Sequence, residues 1–267
     1  MNYLYHLTKY IEKSDAVIIR ENTLKVGDIA EDLMLNYEGM ELLPENMIFF
    51  DLEHYVYKKP KCIGVFGACV YNAKLKELHV TQYMIENRRE SINILHLAKK
   101  YFVKMKNLGK DSIVTFSGNN DFTVINYLFE KFGIDYDFKT EFISIDIQKE
   151  YERYKSKSIG LKNLEKFFGI IRQSEVISGS NLAKTFHKVM KDNEYVSRMP
   201  KEKLENILLY NEQDVVNLYH ILVSWNKYIF EDIEEIEDIE DLIKNIDNVI
   251  LVEDDEKTIA ESETKDL

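Results

Sequence analysis

The chain has 267 residues, of which 45% are hydrophobic and 31% charged, and carries a net charge of −12. That length can bury a large core in one domain plus extensions, and no apolar run reaches membrane-spanning length. The acidity looks hostile to nucleic acid but is uneven: residues 231–267 carry −13, residues 1–46 carry −5, and residues 47–230 carry +6.

Residues 1–46 read as an N-terminal extension without visible chemistry, in which Val17 to Leu24 forms either a strand or a packed extension. Met1 is followed by neither a continuous apolar core nor a cleavage site, so the start is not a signal peptide. The next segment is more informative. Ile48, Phe49 and Phe50 read as a short buried strand leading into Asp51-Leu52-Glu53. On a strand, side chains two apart leave the same face, so Asp51 and Glu53 stand together while Leu52 points away. Two such carboxylates repel unless protonated or bound to a cation, and hard oxygen donors suit Mg²⁺ or Mn²⁺ better than Zn²⁺. Two ordinary charges at a strand end fit these three residues equally well.

Ile63–Tyr71 and Leu75–Tyr83 read as a hairpin beside the first strand, turning at Asn72–Lys74. Cys62 and Cys69 read as buried thiols, which makes a cytoplasmic protein the default. Ile92 to Met105 reads as a helix and Ser112 to Phe116 as a strand. After the Ser117–Asn120 turn, Asp121 opens an amphipathic helix whose apolar face carries Val124, Ile125, Leu128 and Phe129. An aspartate there either serves the helix macrodipole or is a ligand aimed at a site. Glu141 to Asp146 reads as a further strand.

Pro200 signals the start of an amphipathic helix from Lys201 to Trp225. Tyr210 and Asp214 are four apart on it and share one face. From Glu231 the composition becomes an acidic tail with apolar residues every three positions, and after Val252 it suggests disorder. Such a tail either solubilises the chain, docks a basic partner, or competes with nucleic acid for the core. The order of elements describes an α/β fold with a mixed β-sheet flanked by helices. A Gly-rich phosphate loop and Cys/His pairs at ligand spacing are both missing from the sequence.

Asp51-x-Glu53, then Asp121, then Tyr210-x-x-x-Asp214 resembles the DEDDy branch of 3′–5′ exonucleases in the ribonuclease H-like superfamily. It is most similar to the YprB-type ribonuclease H-like domain. Ser158-Ile-Gly-Leu-Lys-Asn-Leu-Glu165, the Lys166–Ile170 run after it, and Leu209–Leu218 strengthen the likeness, which spans about residues 47 to 228. The resemblance implies a domain at 47–230 and two divalent ions, Mg²⁺ or Mn²⁺, held by Asp51, Glu53, Asp121 and Asp214. It implies that Tyr210 positions the attacking water and that the substrate is single-stranded DNA or RNA, or its 3′ ends. The position at which the histidine version of this family carries its catalytic residue is Leu209 here, whereas Tyr210 fits the tyrosine version.

Two features depart from the pattern. Many relatives continue Asp-x-Glu with Thr-Thr-Gly, where this chain has His54-Tyr55-Val56, and the Phe116–Asp121 stretch is one residue shorter than the usual Phe-Asn-Gly-x-x-Phe-Asp. Lys155, Lys157 and Lys162 are the leading candidates to face nucleic-acid phosphates, with Lys184 and Lys188 behind them. The principal alternative is a non-catalytic nucleic-acid-binding or scaffolding module. A structure-specific endonuclease would share the ions but cut circular substrates.

Overall fold

A computed structural model describes residues 10–14, 17–40, 42–173 and 177–230. Seven strands form one sheet: β1 (Tyr10–Ser14), β2 (Val17–Lys25), β3 (Met47–Tyr57), β4 (Lys59–Asn72), β5 (Glu77–Met84), β6 (Ser112–Thr115) and β7 (Ile143–Asp146). Their order is β1-β2-β5-β4-β3-β6-β7. The first five in that order pair antiparallel, whereas β6 runs parallel to both β3 and β7. The sheet is therefore mixed, as expected. The Val17–Leu24 segment, left open between strand and extension, is β2 and pairs with β5 along its length.

The helices are α1 (Asn93–Asn107), α2 (Asn119–Lys131), α3 (Phe138–Glu141), α4 (Ile147–Lys155), α5 (Leu161–Phe167), α6 (Gly179–Lys191), α7 (Lys201–Val223) and α8 (Trp225–Ile229). They cover both faces of the sheet. On one face Phe50 and Phe66 meet Phe102 of α1, with ring centroids 5.3 and 5.6 Å apart. On the other, Phe49 meets the edge of Tyr219 of α7 at 5.5 Å. This strict alternation along β3 fixes where its carboxylates go: Asp51 and Glu53 share the face of Phe49 and point toward α7.

Two expectations shift in detail. The strand expected from Glu141 starts at Ile143, because Asp137 accepts the Lys139 backbone N–H and caps the short α3 over Phe138–Glu141. The amphipathic helix expected from Lys201 to Trp225 runs from Lys201 to Val223 and is not buried on its apolar face alone. Instead every residue from Asn211 to Tyr219 is buried, including Asn211, Glu212, Gln213, Asp214 and Asn217. Buried polar groups need partners, which Asn211, Glu212 and Asn217 find in the sheet and in α5, whereas Gln213 Oε1 has none among the described residues. Glu212 accepts from Asn22 Nδ2 at 2.5 Å and pairs with Arg20 at 3.1 Å, which ties β2 to the helix.

The chain divides into two units, Met1–Tyr228 and Ile229–Leu267. The expectations for the acidic tail at 231–267, namely a helix, a disordered end and a contact with a basic partner or the core, fall outside the described residues. Among the described residues, no helix is long and apolar enough to cross a membrane.

Candidate metal centre

The centre begins where β3 runs out of sheet partners on one side. Asp51 and Glu53 still pair with Gly67 and Val65 of β4, but the register slips between Glu53 and His54. On the other side, β6 pairs with β3 only from Met47 to Phe49. Asp51 and Glu53 thus stand just beyond the point where the parallel strands separate. From α7, Asp214 reaches the same place. Oxygens of Asp51, Glu53 and Asp214 all lie within 4.8 Å of one another.

Asp121, the fourth expected ligand, lies on the first turn of α2 and is buried, but it is not one of the carboxylates whose oxygens lie within 4.8 Å of one another. The turn that delivers it is held by Asp146, whose carboxylate accepts the backbone N–H groups of Ser117 at 2.9 Å and Gly118 at 3.2 Å while also capping α4 through Gln148. Ser117 occupies the left-handed region at φ 55°. A side chain at Gly118 would place Cβ 2.1 Å from Thr115 Oγ1, so that position takes only glycine without rearrangement. His54 Nδ1 lies 3.8 Å from Asp121 Oδ1, beyond hydrogen-bond range.

Electrostatics show how poorly these groups tolerate full ionisation without a cation. Burial raises the Asp51 carboxyl from 3.8 to about 6, against the stabilising Asn211 hydrogen bond. Glu53 is pushed well up by burial first and then by the charges of Asp51, Asp214 and Asp121. Asp121 is raised by burial and by Asp51 and Asp214. Asp214 is raised by burial and by Asp51, although Arg172 pulls the other way. A divalent ion reverses that balance by favouring the ionised forms. All-oxygen donors at this spacing fit a hard cation.

Tyr210 is half-buried one helical turn before Asp214, and its hydroxyl is raised by burial and by the charges of Asp214 and Glu53. Of the three candidate phosphate-facing lysines, Lys162 stands beside this group, with Nζ 5.3 Å from the centroid of the Tyr210 ring. Lys155 instead lies 5.9 Å from the Phe167 centroid, and Lys157 is exposed on the turn between α4 and α5. Lys184 and Lys188 lie on α6.

Two residues of the centre escaped the sequence reading. Asn211 Nδ2 donates to Asp51 Oδ2 at 3.0 Å, and Arg172 donates to both Asp214 and Glu165. Asn211 sits three positions before Asp214 on the same helix and could have been found from that spacing. Arg172 follows α5 in irregular chain and carries no local signal.

The profile of the RNase H superfamily matches residues 48–226. No curated protein and no solved structure matches the chain significantly.

Proposed function

Since the chain belongs to the RNase H superfamily, we propose that it is a metal-dependent 3′–5′ exonuclease acting on single-stranded DNA or RNA ends. The observation that carries this reading is the convergence of Asp51, Glu53 and Asp214, from a strand and a helix more than 160 positions apart, on one small volume. The charges of Asp51 and Asp214 also raise the Asp121 carboxyl, and those of Asp214 and Glu53 the Tyr210 hydroxyl.

In this proposal Asp51, Glu53, Asp121 and Asp214 hold two Mg²⁺ or Mn²⁺ ions. Bound ions of this kind supply concentrated positive charge against the negative charge that develops on a phosphodiester under attack. The chain's own groups do the rest. Asn211 fixes the Asp51 carboxylate by donating to one of its oxygens. The Tyr210 hydroxyl orients the attacking water. Water oxygen bonds to phosphorus, the P–O3′ bond breaks, and a proton ends on the departing 3′-oxygen. Lys162 offsets phosphate charge beside Tyr210, with Lys155 and Lys157 further along the strand's path. The +6 charge of residues 47–230 favours such a polyanion. A cytoplasmic setting belongs to the same proposal, in keeping with the free, buried Cys62 and Cys69.

One observation favours a second reading, a nucleic-acid-binding module without catalysis: Arg172 already supplies a positive charge to Asp214. The two readings part in one assay. The protein is incubated with 3′- and 5′-labelled single strands of DNA and RNA in Mn²⁺, Mg²⁺ or EDTA, beside Asp51→Ala and Asp214→Ala. Shortening from the 3′ end that needs the ion and both aspartates supports the exonuclease. Binding without cleavage by the wild type supports the module, and cleavage of a closed circle points to an endonuclease.

A further inference from the structure

Arg172 is held more firmly than a passing surface cation. Its side chain is 4% exposed. Nε and Nη2 each lie 2.6 Å from an oxygen of Glu165, and Nη2 also donates to Asp214 Oδ1. Glu165 is itself 1% exposed and accepts from Asn217 Nδ2 at 2.9 Å. The guanidinium carbon lies 5.1 Å from the centroid of the Tyr210 ring. The same guanidinium thus touches two elements of the centre, Asp214 and Tyr210, while being anchored outside it by Glu165. Its Nη1 is buried and has no hydrogen-bond partner among the described residues. A buried donor without a partner is costly, and a cation cannot satisfy it.

We infer that Arg172 is a built-in counter-ion of the carboxylate centre, which competes with an incoming divalent ion for Asp214. The inference rests on the metal-binding reading above and concerns how that site is tuned. The Asp214 oxygen that accepts from Nη2 is committed to the guanidinium and is not free to ligate a cation. A bound ion also brings positive charge close to a guanidinium that cannot deprotonate. The bidentate Glu165 contact gives Arg172 a place to remain when Asp214 is released. Arg172 therefore keeps the empty site folded and sets the concentration at which the ion enters.

The test is Mn²⁺ binding to the full chain, by calorimetry and by paramagnetic resonance of free Mn²⁺, together with the melting temperature in EDTA and in Mn²⁺. Arg172→Gln removes the competing charge. It is expected to bind Mn²⁺ roughly tenfold more tightly, as follows from deleting one like charge a few ångströms away in a partly screened site. It is also expected to melt lower than wild type in EDTA and to gain more from Mn²⁺. Glu165→Gln works in the opposite direction: the guanidinium then leans on Asp214 alone, and Mn²⁺ binding weakens. That second variant keeps the question open to measurement should Arg172→Gln fail to fold. Unchanged or weaker binding by Arg172→Gln, or unchanged or tighter binding by Glu165→Gln, overturns the inference while leaving the metal site standing. Absence of Mn²⁺ binding by wild type and both variants overturns the metal-binding reading itself.

Discussion

Asn211 holds Asp51 from below: its Nδ2 donates to Asp51 Oδ2 at 3.0 Å, while its Oδ1 accepts from Gln82 Nε2 at 2.8 Å. Gln82 in turn donates to the Leu208 backbone oxygen at 2.8 Å. A polar relay thus runs from β5 through α7 to the carboxylate on β3. It fits because position 67 on β4 has no side chain: a Cβ there would lie 2.1 Å from Asn211 Oδ1. Gly67→Ala should therefore displace Asn211. The expected cost is about 1–3 kcal/mol in urea denaturation, with weaker Mn²⁺ binding. Asn211→Ala should cost about 1–2 kcal/mol and weaken Mn²⁺ similarly. If both variants bind Mn²⁺ like wild type, the relay does not position Asp51.

The carboxylate cluster predicts an unusual pH dependence for the protein stripped of divalent ions. Asp51 is raised from 3.8 to about 6 in the folded chain. Between those values the unfolded chain has released its proton and the folded chain has kept it. Rising pH therefore favours unfolding across that window, and the loss persists above it. The contribution is about 2–3 kcal/mol at neutral pH. His220 acts with the opposite sign: burial pushes it down to about 4, so falling pH below its ordinary value of 6.5 destabilises the fold. Comparing wild type with Asp51→Asn in EDTA separates the two. The variant should be the more stable at about pH 7 and should converge with wild type near the ordinary pKa of aspartate. Saturating Mn²⁺ should remove the wild-type penalty. A constant difference across the window would contradict the assignment.

Tyr210 should matter to turnover and little to ion binding. Tyr210→Phe removes the hydroxyl and leaves the ring beside Arg172 and Lys162. The expected loss in kcat on a labelled single strand is roughly 10²-fold, with Mn²⁺ affinity within about twofold of wild type. A matching fall in Mn²⁺ affinity would make Tyr210 part of the scaffold instead.

The two thiols should be silent in the native protein. Burial pushes Cys62 up to about 12 and raises Cys69 still further, with the charge of Glu212 adding to the latter. Thiolate is the reactive form, so an aromatic disulfide reagent at pH 8 should label neither residue until denaturant is added. Fast labelling of either under native conditions would show that the sheet opens at β4.

Much of this arrangement was legible in the sequence because it depends on short-range rules. Alternation put Asp51 and Glu53 on one face, and helical spacing stacked Tyr210 on Asp214. The run Ser112–Phe116 followed by a polar turn announced β6 and the entry to α2. What escaped depends on contacts distant in sequence. Spacing cannot reveal that Glu212 on α7 meets Asn22, or that Asn217 meets Glu165. Arg172 was invisible for the same reason: its partner Asp214 is 42 positions away. Lysines at 155, 157 and 162 look alike in sequence, yet of these three only Lys162 is placed over Tyr210.

The most direct test of the central claim is to locate Mn²⁺ in crystals of the full chain by its anomalous scattering. The account predicts signal within ligand distance of Asp51, Glu53 and Asp214, lost in Asp51→Ala. Fully occupied Mn²⁺ sites elsewhere, with nothing between these three carboxylates, would contradict it.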